Sequence, residues 1–163
     1  MSIAICPGSF DPITLGHLNI IRRTSKIFDK VVVCILYNSA KKDPMFTIGE
    51  RVDMVRRAVA GFPNVEVDTS TGLLAEYAKN YDDPVIVKGL RANSDFEYEF
   101  QMNLINKKIN PELETMFLTS SAKYTYLSSS VVRELAYYGA DLRDFVPCEI
   151  IEDIENKAKS WRR

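Results

Sequence analysis

The chain has 163 residues, 46% hydrophobic and 26% charged, enough to bury a sizeable core, and is expected to form one domain over 1–163. A formal charge of −1 and a pI near 5.9 give no general attraction to polyanions, which argues against nucleic acid as a partner. No apolar run approaches the roughly 18 residues of a membrane span, and no basic-then-apolar leader opens the chain, so neither membrane insertion nor secretion is expected. Cys6, Cys34 and Cys148 are odd in number and far apart. They read as reduced thiols rather than disulfides or a metal cage, and so point to the cytoplasm.

In chain order, β-rich runs at 3–6, 31–36, 65–68, 85–88 and 115–118 alternate with amphipathic segments at 15–28, 49–60, 73–79 and 95–107. The alternation predicts an α/β doubly wound sheet of five parallel strands with helices on both faces. Thr47-x-x-Glu50 and Ser94-x-x-Glu97 have capping-box spacing and would start two of the helices. Residues 149–163 read as a helix packed outside the sheet core. In such sheets the ligand site lies beyond the carboxyl ends of the strands, where strand order reverses. Residues just after strands therefore carry the functional information.

After the first strand comes Pro7-Gly8-Ser9-Phe10, a turn in which Gly8 permits close approach and the Ser9 hydroxyl can donate to an anionic oxygen. Thr14 follows as the expected N-cap, then Gly16 and His17, the chain's one histidine. A strand, a small-residue turn and a helix N-terminus together make a phosphate site, and His17 in the first turn can donate to it. After the second strand, Lys41 and Lys42 place ammonium groups in a loop, with Lys42 read as solvated. After the fourth, Lys88-Gly89-Leu90-Arg91 sets a point charge and a planar fork beside a glycine. Either cation could instead pair with Asp95, Glu97 or Glu99, and Glu99 by itself reads as part of a solvated helix face. Last, Ser128-Ser129-Ser130 precedes an apolar-periodic segment and marks a second anion-binding helix start. Tyr124 stands where an aromatic can flank a base or simply pack.

Thr14-x-Gly16-His17 and Ser128-Ser129-Ser130-x-x-Arg133 together resemble the nucleotidyltransferase superfamily, whose Rossmann-like domain also underlies class I aminoacyl-tRNA synthetases. The longer agreement covers 7–17, 41–47, 89–99 and 127–134: P-G-S-F-D-P-I-T-x-G-H, K-K-x-P-M-F-T, G-L-R-A-x-S-D-F-E-Y-E and L-S-S-S-V-V-R-E. It extends over nearly the whole chain and resembles the bacterial phosphopantetheine adenylyltransferase family. The resemblance implies transfer of AMP from ATP to 4′-phosphopantetheine, giving dephospho-coenzyme A and pyrophosphate in the penultimate step of coenzyme A synthesis. It also implies Mg2+, with no direct protein ligand expected, and a homo-hexamer.

By the same resemblance, His17 contacts the ATP phosphates and stabilises the transition state, with Arg91 and Lys41 also catalytic. Ser9, Phe10, His17, Gly89, Leu90, Arg91, Glu99, Tyr124, Thr125, Tyr126, Leu127, Ser128, Ser129 and Ser130 form the ATP site. Ser9, Lys41, Leu74 and Lys88 hold the phosphopantetheine. Leu73 is read as core. Two departures stand out. Lys88 replaces the family's usual arginine, keeping charge but losing a bidentate fork, and Asp43 enters as an extra residue before Pro44. Lys41 is chosen over Lys42 because its spacing from the second strand matches.

The residues offer convergent cations and helix N-termini but no evident nucleophile or base pair. The expected chemistry is therefore direct in-line attack by an acceptor phosphate, with no covalent intermediate. Competing readings are a nucleotidyltransferase using another acceptor such as nicotinamide mononucleotide, a non-catalytic nucleotide-binding regulator, and a tRNA-binding synthetase fragment. The missing basic surface disfavours the last.

Overall fold

A computed structural model describes residues 1–37, 43–91 and 93–162, with the side chains of residues 93 and 94 outside that description. Five strands, β1 (Ile3–Gly8), β2 (Lys30–Leu36), β3 (Val65–Ser70), β4 (Val85–Leu90) and β5 (Glu114–Thr119), form one parallel sheet in the order β3-β2-β1-β4-β5. The helices are α1 (Leu15–Thr24), α2 (Ile48–Val59), α3 (Leu74–Tyr77), α4 (Asn93–Ile109), α5 (Ser129–Tyr137) and α6 (Ile151–Trp161). The fold is the doubly wound α/β architecture that the alternating pattern predicts. Four strands extend two residues beyond their predicted runs at one end or gain one at both, and the second gains only Lys30.

Alternate residues of the central strands feed two apolar layers, as the period of a strand requires. Ala4, Cys6, Val31, Val33, Ile35 and Val87 pack with residues of α1, α2, α5 and α6. Ile5, Val32, Cys34 and Ile86 face the other way onto Leu74, Ala75, Ala78 and Leu113. Burial pushes the Cys6 and Cys34 thiols up to about 12, Cys6 against a hydrogen bond from Thr24 that lowers it and Cys34 against one from Tyr77. Cys148, by contrast, is exposed.

Three helices differ from the sequence pattern. The predicted 15–28 segment stops being helical at Thr24, and the Asn64 side chain donates to Ser25 O and Phe28 O, both at 2.9 Å, fixing the turn into β2. The 73–79 segment is one α-turn followed by a 3-10 turn at Ala78–Asn80. The last helix starts at Ile151, after a 3-10 turn at Cys148–Ile150. Its buried Ile154 and Ala158 join the larger core layer, and Lys157 and Asp153 pair with Glu50 and Arg57 of α2. The Thr47–Glu50 capping box is formed in both directions. For Ser94–Glu97, α4 begins at Asn93 and the Ser94 side chain lies outside the described residues. Among the described residues no helix is long and apolar enough to cross a membrane.

Candidate active site

Strand order reverses between β1 and β4, so their carboxyl ends diverge and leave a crevice at the topological switch point. A cavity of about 750 Å3 occupies it. The turn after β1 forms one wall. Phe10 is buried with φ +47°, a left-handed conformation that L-residues adopt at a cost. Its ring meets His17 edge-on, with centroids 5.2 Å apart, and a Cβ at Gly8 would lie 3.0 Å from the same ring. A larger residue at Gly8 would press on the ring where it folds back under the turn, and the ring would have to shift by a few tenths of an ångström.

Thr14 caps α1 as expected, its hydroxyl accepting from His17 N–H at 3.3 Å. The reciprocal half of the capping box comes from the imidazole. Thr14 N–H donates to His17 Nδ1 at 3.0 Å. Because Nδ1 is an acceptor in this bond, the neutral ring carries its proton on Nε2, where it can act as a donor. The T-x-x-H spacing is thus a capping box with histidine in the place usually held by glutamate.

On the facing wall, each of the three serine hydroxyls makes a hydrogen bond within the protein. Ser128 Oγ caps α5 by accepting from Val131 N–H at 3.2 Å, Ser129 donates to Pro12 O at 2.8 Å, and Ser130 Oγ accepts from Arg133 at 3.1 Å. What α5 offers an anion is the backbone N–H groups of Ser129 and Ser130, which have no intrahelical acceptor, the O–H donors of Ser128 and Ser130, which only accept in these bonds, and the positive end of the helix dipole. The first turns of α1 and α5 therefore both border the cavity.

The cations at the end of β4 are partnered. Lys88 pairs with Glu99, and both are about one-fifth exposed. Glu99 is therefore a cavity residue and not part of a solvated helix face. Arg91 donates from Nε to Asp95 at 2.9 Å and from Nη1 to Leu127 O at 2.9 Å, tying the β4 end to the serine segment. Of the predicted site residues, Ser9, Phe10, His17, Leu74, Lys88, Gly89, Arg91, Glu99, Tyr124, Leu127, Ser128, Ser129 and Ser130 line the cavity. Leu90, Thr125 and Tyr126 are not among its lining residues, and Tyr126 is 61% exposed. Lys41 and Lys42 lie outside the described residues.

Leu73 corrects the sequence reading. It is 62% exposed and lines the cavity, because it stands at the N-cap of α3, outside the helix whose face is buried. Sequence reasoning also missed Tyr98, Met102, Ile105, Asn106 and Ile109, which bring one side of α4 to the cavity. The amphipathic pattern expected over 95–107 is absent, because apolar residues are spread around α4, and its one buried residue among those described is the polar Asn106. No group of three or more His, Cys, Asp or Glu converges among the described residues.

The cytidylyltransferase-like family model matches residues 5–135, which span β1 through most of α5. A phosphopantetheine adenylyltransferase of Caldanaerobacter subterraneus subsp. tengcongensis is 53% identical over 159 residues, covering 98% of this chain and 99% of that protein. The chain belongs to the phosphopantetheine adenylyltransferase family. A second family member, from Clostridium tetani, is 54% identical over 160 residues, with 98% and 99% of the two chains covered. A crystal structure of a putative nicotinate-nucleotide adenylyltransferase from Vibrio parahaemolyticus superposes with a TM-score of 0.74 at 22% identity, covering 100% of this chain and 97% of that one. At that identity the likeness speaks for the shared fold, and the family rests on the near-full-length relatives.

Proposed function

We propose that the protein transfers AMP from ATP to 4′-phosphopantetheine, forming dephospho-coenzyme A and pyrophosphate. The observation that carries this reading is one cavity bordered by two helix N-termini, β4-end cations and an apolar wall from α3 and α4, in a chain whose relatives of that name match nearly end to end. The positive ends of the two helices suit a polyphosphate. Leu73, Leu74, Met102 and Ile109 suit a flexible, uncharged pantetheine arm.

The acceptor phosphate is a nucleophile at neutral pH without a general base. One of its oxygens forms the new bond to the α-phosphorus as the bond to the β-phosphate oxygen breaks, and the electron pair leaves with pyrophosphate. His17, through Nε2–H, and Arg91 stabilise the charge that develops on the transferring and leaving oxygens. Ser9, Lys41 and Lys88 hold the acceptor phosphate. ATP arrives as its Mg2+ complex, the ion borne by the triphosphate. We place the protein in the cytoplasm as a homo-hexamer. Self-association is supported by Phe96, Phe100 and Leu104, spaced one turn apart on α4 and each about half exposed.

The test is pyrophosphate release from MgATP with 4′-phosphopantetheine, nicotinamide mononucleotide or glycerol phosphate offered separately. Release with phosphopantetheine alone is the expected result. Release with a different acceptor, or ATP binding without release, overturns the reading.

A further inference from the structure

Asp11 and Arg51 are the most deeply buried pair of opposite charges in the described structure, 1% and 4% exposed, and neither touches the cavity directly. The Asp11 carboxylate accepts from Met45 N–H at 3.0 Å and from Phe46 N–H at 2.9 Å. Arg51 Nε lies 4.0 Å from one of its oxygens, and Arg133 Nη1 lies 3.7 Å from the other. Arg51 spends its donors on main chain, Nε to Phe46 O at 2.9 Å and Nη1 to Ser9 O at 3.1 Å. Arg133 Nη1 donates to Asp11 O at 2.6 Å and Nη2 to Ser130 Oγ at 3.1 Å.

Three segments meet at this hub: the 9–11 turn, the 45–46 segment that leads into α2, and the first turn of α5. The turn is the strained one. Phe10 keeps its left-handed backbone between a Ser9 carbonyl held by Arg51 and an Asp11 held through both carboxylate oxygens and its carbonyl. A conformation of that kind persists where its surroundings over-determine it, and such strain collects at functional sites. The Phe10 ring in turn abuts His17.

We infer that Arg51, acting with Asp11, is a positioning residue that fixes, through the Phe10 turn, the His17 imidazole for adenylyl transfer from outside the substrate cavity. The inference rests on the adenylyl-transfer reading. It separates from a merely structural role through coupling to His17: a residue that acts by holding the histidine in place has little left to contribute once the imidazole is gone, whereas a loss of general stability adds to any other lesion.

The experiment measures kcat and thermal midpoint for wild type, Arg51→Lys, Arg51→Met, His17→Ala and the two double variants, well below their midpoints, with ATP affinity by calorimetry alongside. Lysine can reach one of the two carbonyls, so Arg51→Lys keeps the charge and remains informative should Arg51→Met not fold. Misplacing a reacting group by about an ångström costs roughly 10²-fold, so the expected kcat loss is about 10–100-fold in wild type and under about 3-fold in the His17→Ala background. The same loss in both backgrounds, or wild-type kcat from folded Arg51→Lys, overturns the inference. A wild type that releases no pyrophosphate defeats the adenylyl-transfer reading separately. The hub is then judged by ATP affinity, which Arg51→Lys should weaken by about 10-fold and which overturns the inference if unchanged.

Discussion

Replacing His17 by asparagine should divide its two jobs. In the native protein Nδ1 accepts from Thr14 N–H at 3.0 Å, and Nε2 is left as the protonated nitrogen. Asparagine places its Oδ1 one bond beyond Cγ, where Nδ1 stands, so the cap survives, but it has no atom at the Nε2 position. The cap is worth about 0.5–2 kcal/mol, whereas one preorganised donor to a developing oxyanion is worth about 2.7–4 kcal/mol, or 10²–10³ in rate. His17→Asn should therefore unfold within about 0.5 kcal/mol of wild type while kcat falls by roughly 10²–10³. His17→Ala should lose the same rate and, in addition, about 1 kcal/mol of stability, or roughly 2–4 °C in Tm for a chain of this size. Steady-state pyrophosphate release at saturating substrates and urea unfolding read the two effects independently. Turnover of His17→Asn within about threefold of wild type would refute the Nε2 argument, since that margin is under 1 kcal/mol. Equal destabilisation of the two variants would refute the cap.

Gly89→Ala should destabilise by about 1–3 kcal/mol in urea unfolding, because the new Cβ would lie 2.8 Å from Ile20 Cγ1 in the helix packed against β4; unchanged stability would mean that Ile20 moves freely. With the Cys6 and Cys34 thiols held up at about 12 by burial, a thiol reagent at pH 8 should titrate Cys148 rapidly and the other two only after unfolding. The same shift makes stability pH-dependent. The folded thiols stay protonated where unfolded ones ionise, so their contribution is fully present below about pH 9 and is lost as pH rises toward 12. The urea midpoint should fall over that range, and fall less in Cys6→Ala. Arg162→Ala removes the guanidinium that donates to Ala136 O and Tyr137 O at the C-terminal end of α5. It should lower stability by about 1 kcal/mol with little change in kcat, and an unchanged Tm would show that water serves those carbonyls equally well.

The strands and the switch-point cavity were legible because both follow from local pattern. Continuous apolar runs mark β1, β2 and β4 and alternation marks β3, and glycine, serine and lysine at strand ends mark where the backbone must leave room for an anion. The serine run illustrates the limit of that logic. Three hydroxyls in sequence imply an anion grip, yet Ser129 gives its proton to Pro12 O, while Ser128 and Ser130 accept within the protein and keep their O–H donors. A hydroxyl's residue type does not say which carbonyl will come within its reach. Leu73 and Leu74 are likewise equivalent by composition and opposite in burial, a difference set by which one falls outside the helix. Arg51 carries no sequence signal at all: a charge on an amphipathic helix is expected at the surface, and only the tertiary meeting of the 9–11 and 45–46 segments explains its burial.

The charges of the cavity sharpen the mechanism. Lys88 and Arg91 line it, but so do Glu99 and Asp95, their respective partners, and the two signs cancel among the described lining residues. Attraction for a triphosphate therefore cannot come from net charge on these walls. It is better supplied by the positive ends of the α1 and α5 dipoles and by the backbone N–H groups of Gly16, Ser129 and Ser130, with the Nε2–H of His17 beside them. Such donors are fixed by secondary structure and need no reorganisation as charge moves from the α-phosphate to the leaving pyrophosphate. The paired side chains play a different part. Asp95 and the Leu127 carbonyl fix the Arg91 fork, and Glu99 keeps Lys88 at the cavity wall. A lysine gains more from such a tether than an arginine, since its single ammonium on a flexible stem has no planar fork to set its direction. The Lys88–Glu99 pair thus gives the lysine by contact some of the orientation that an arginine has by shape.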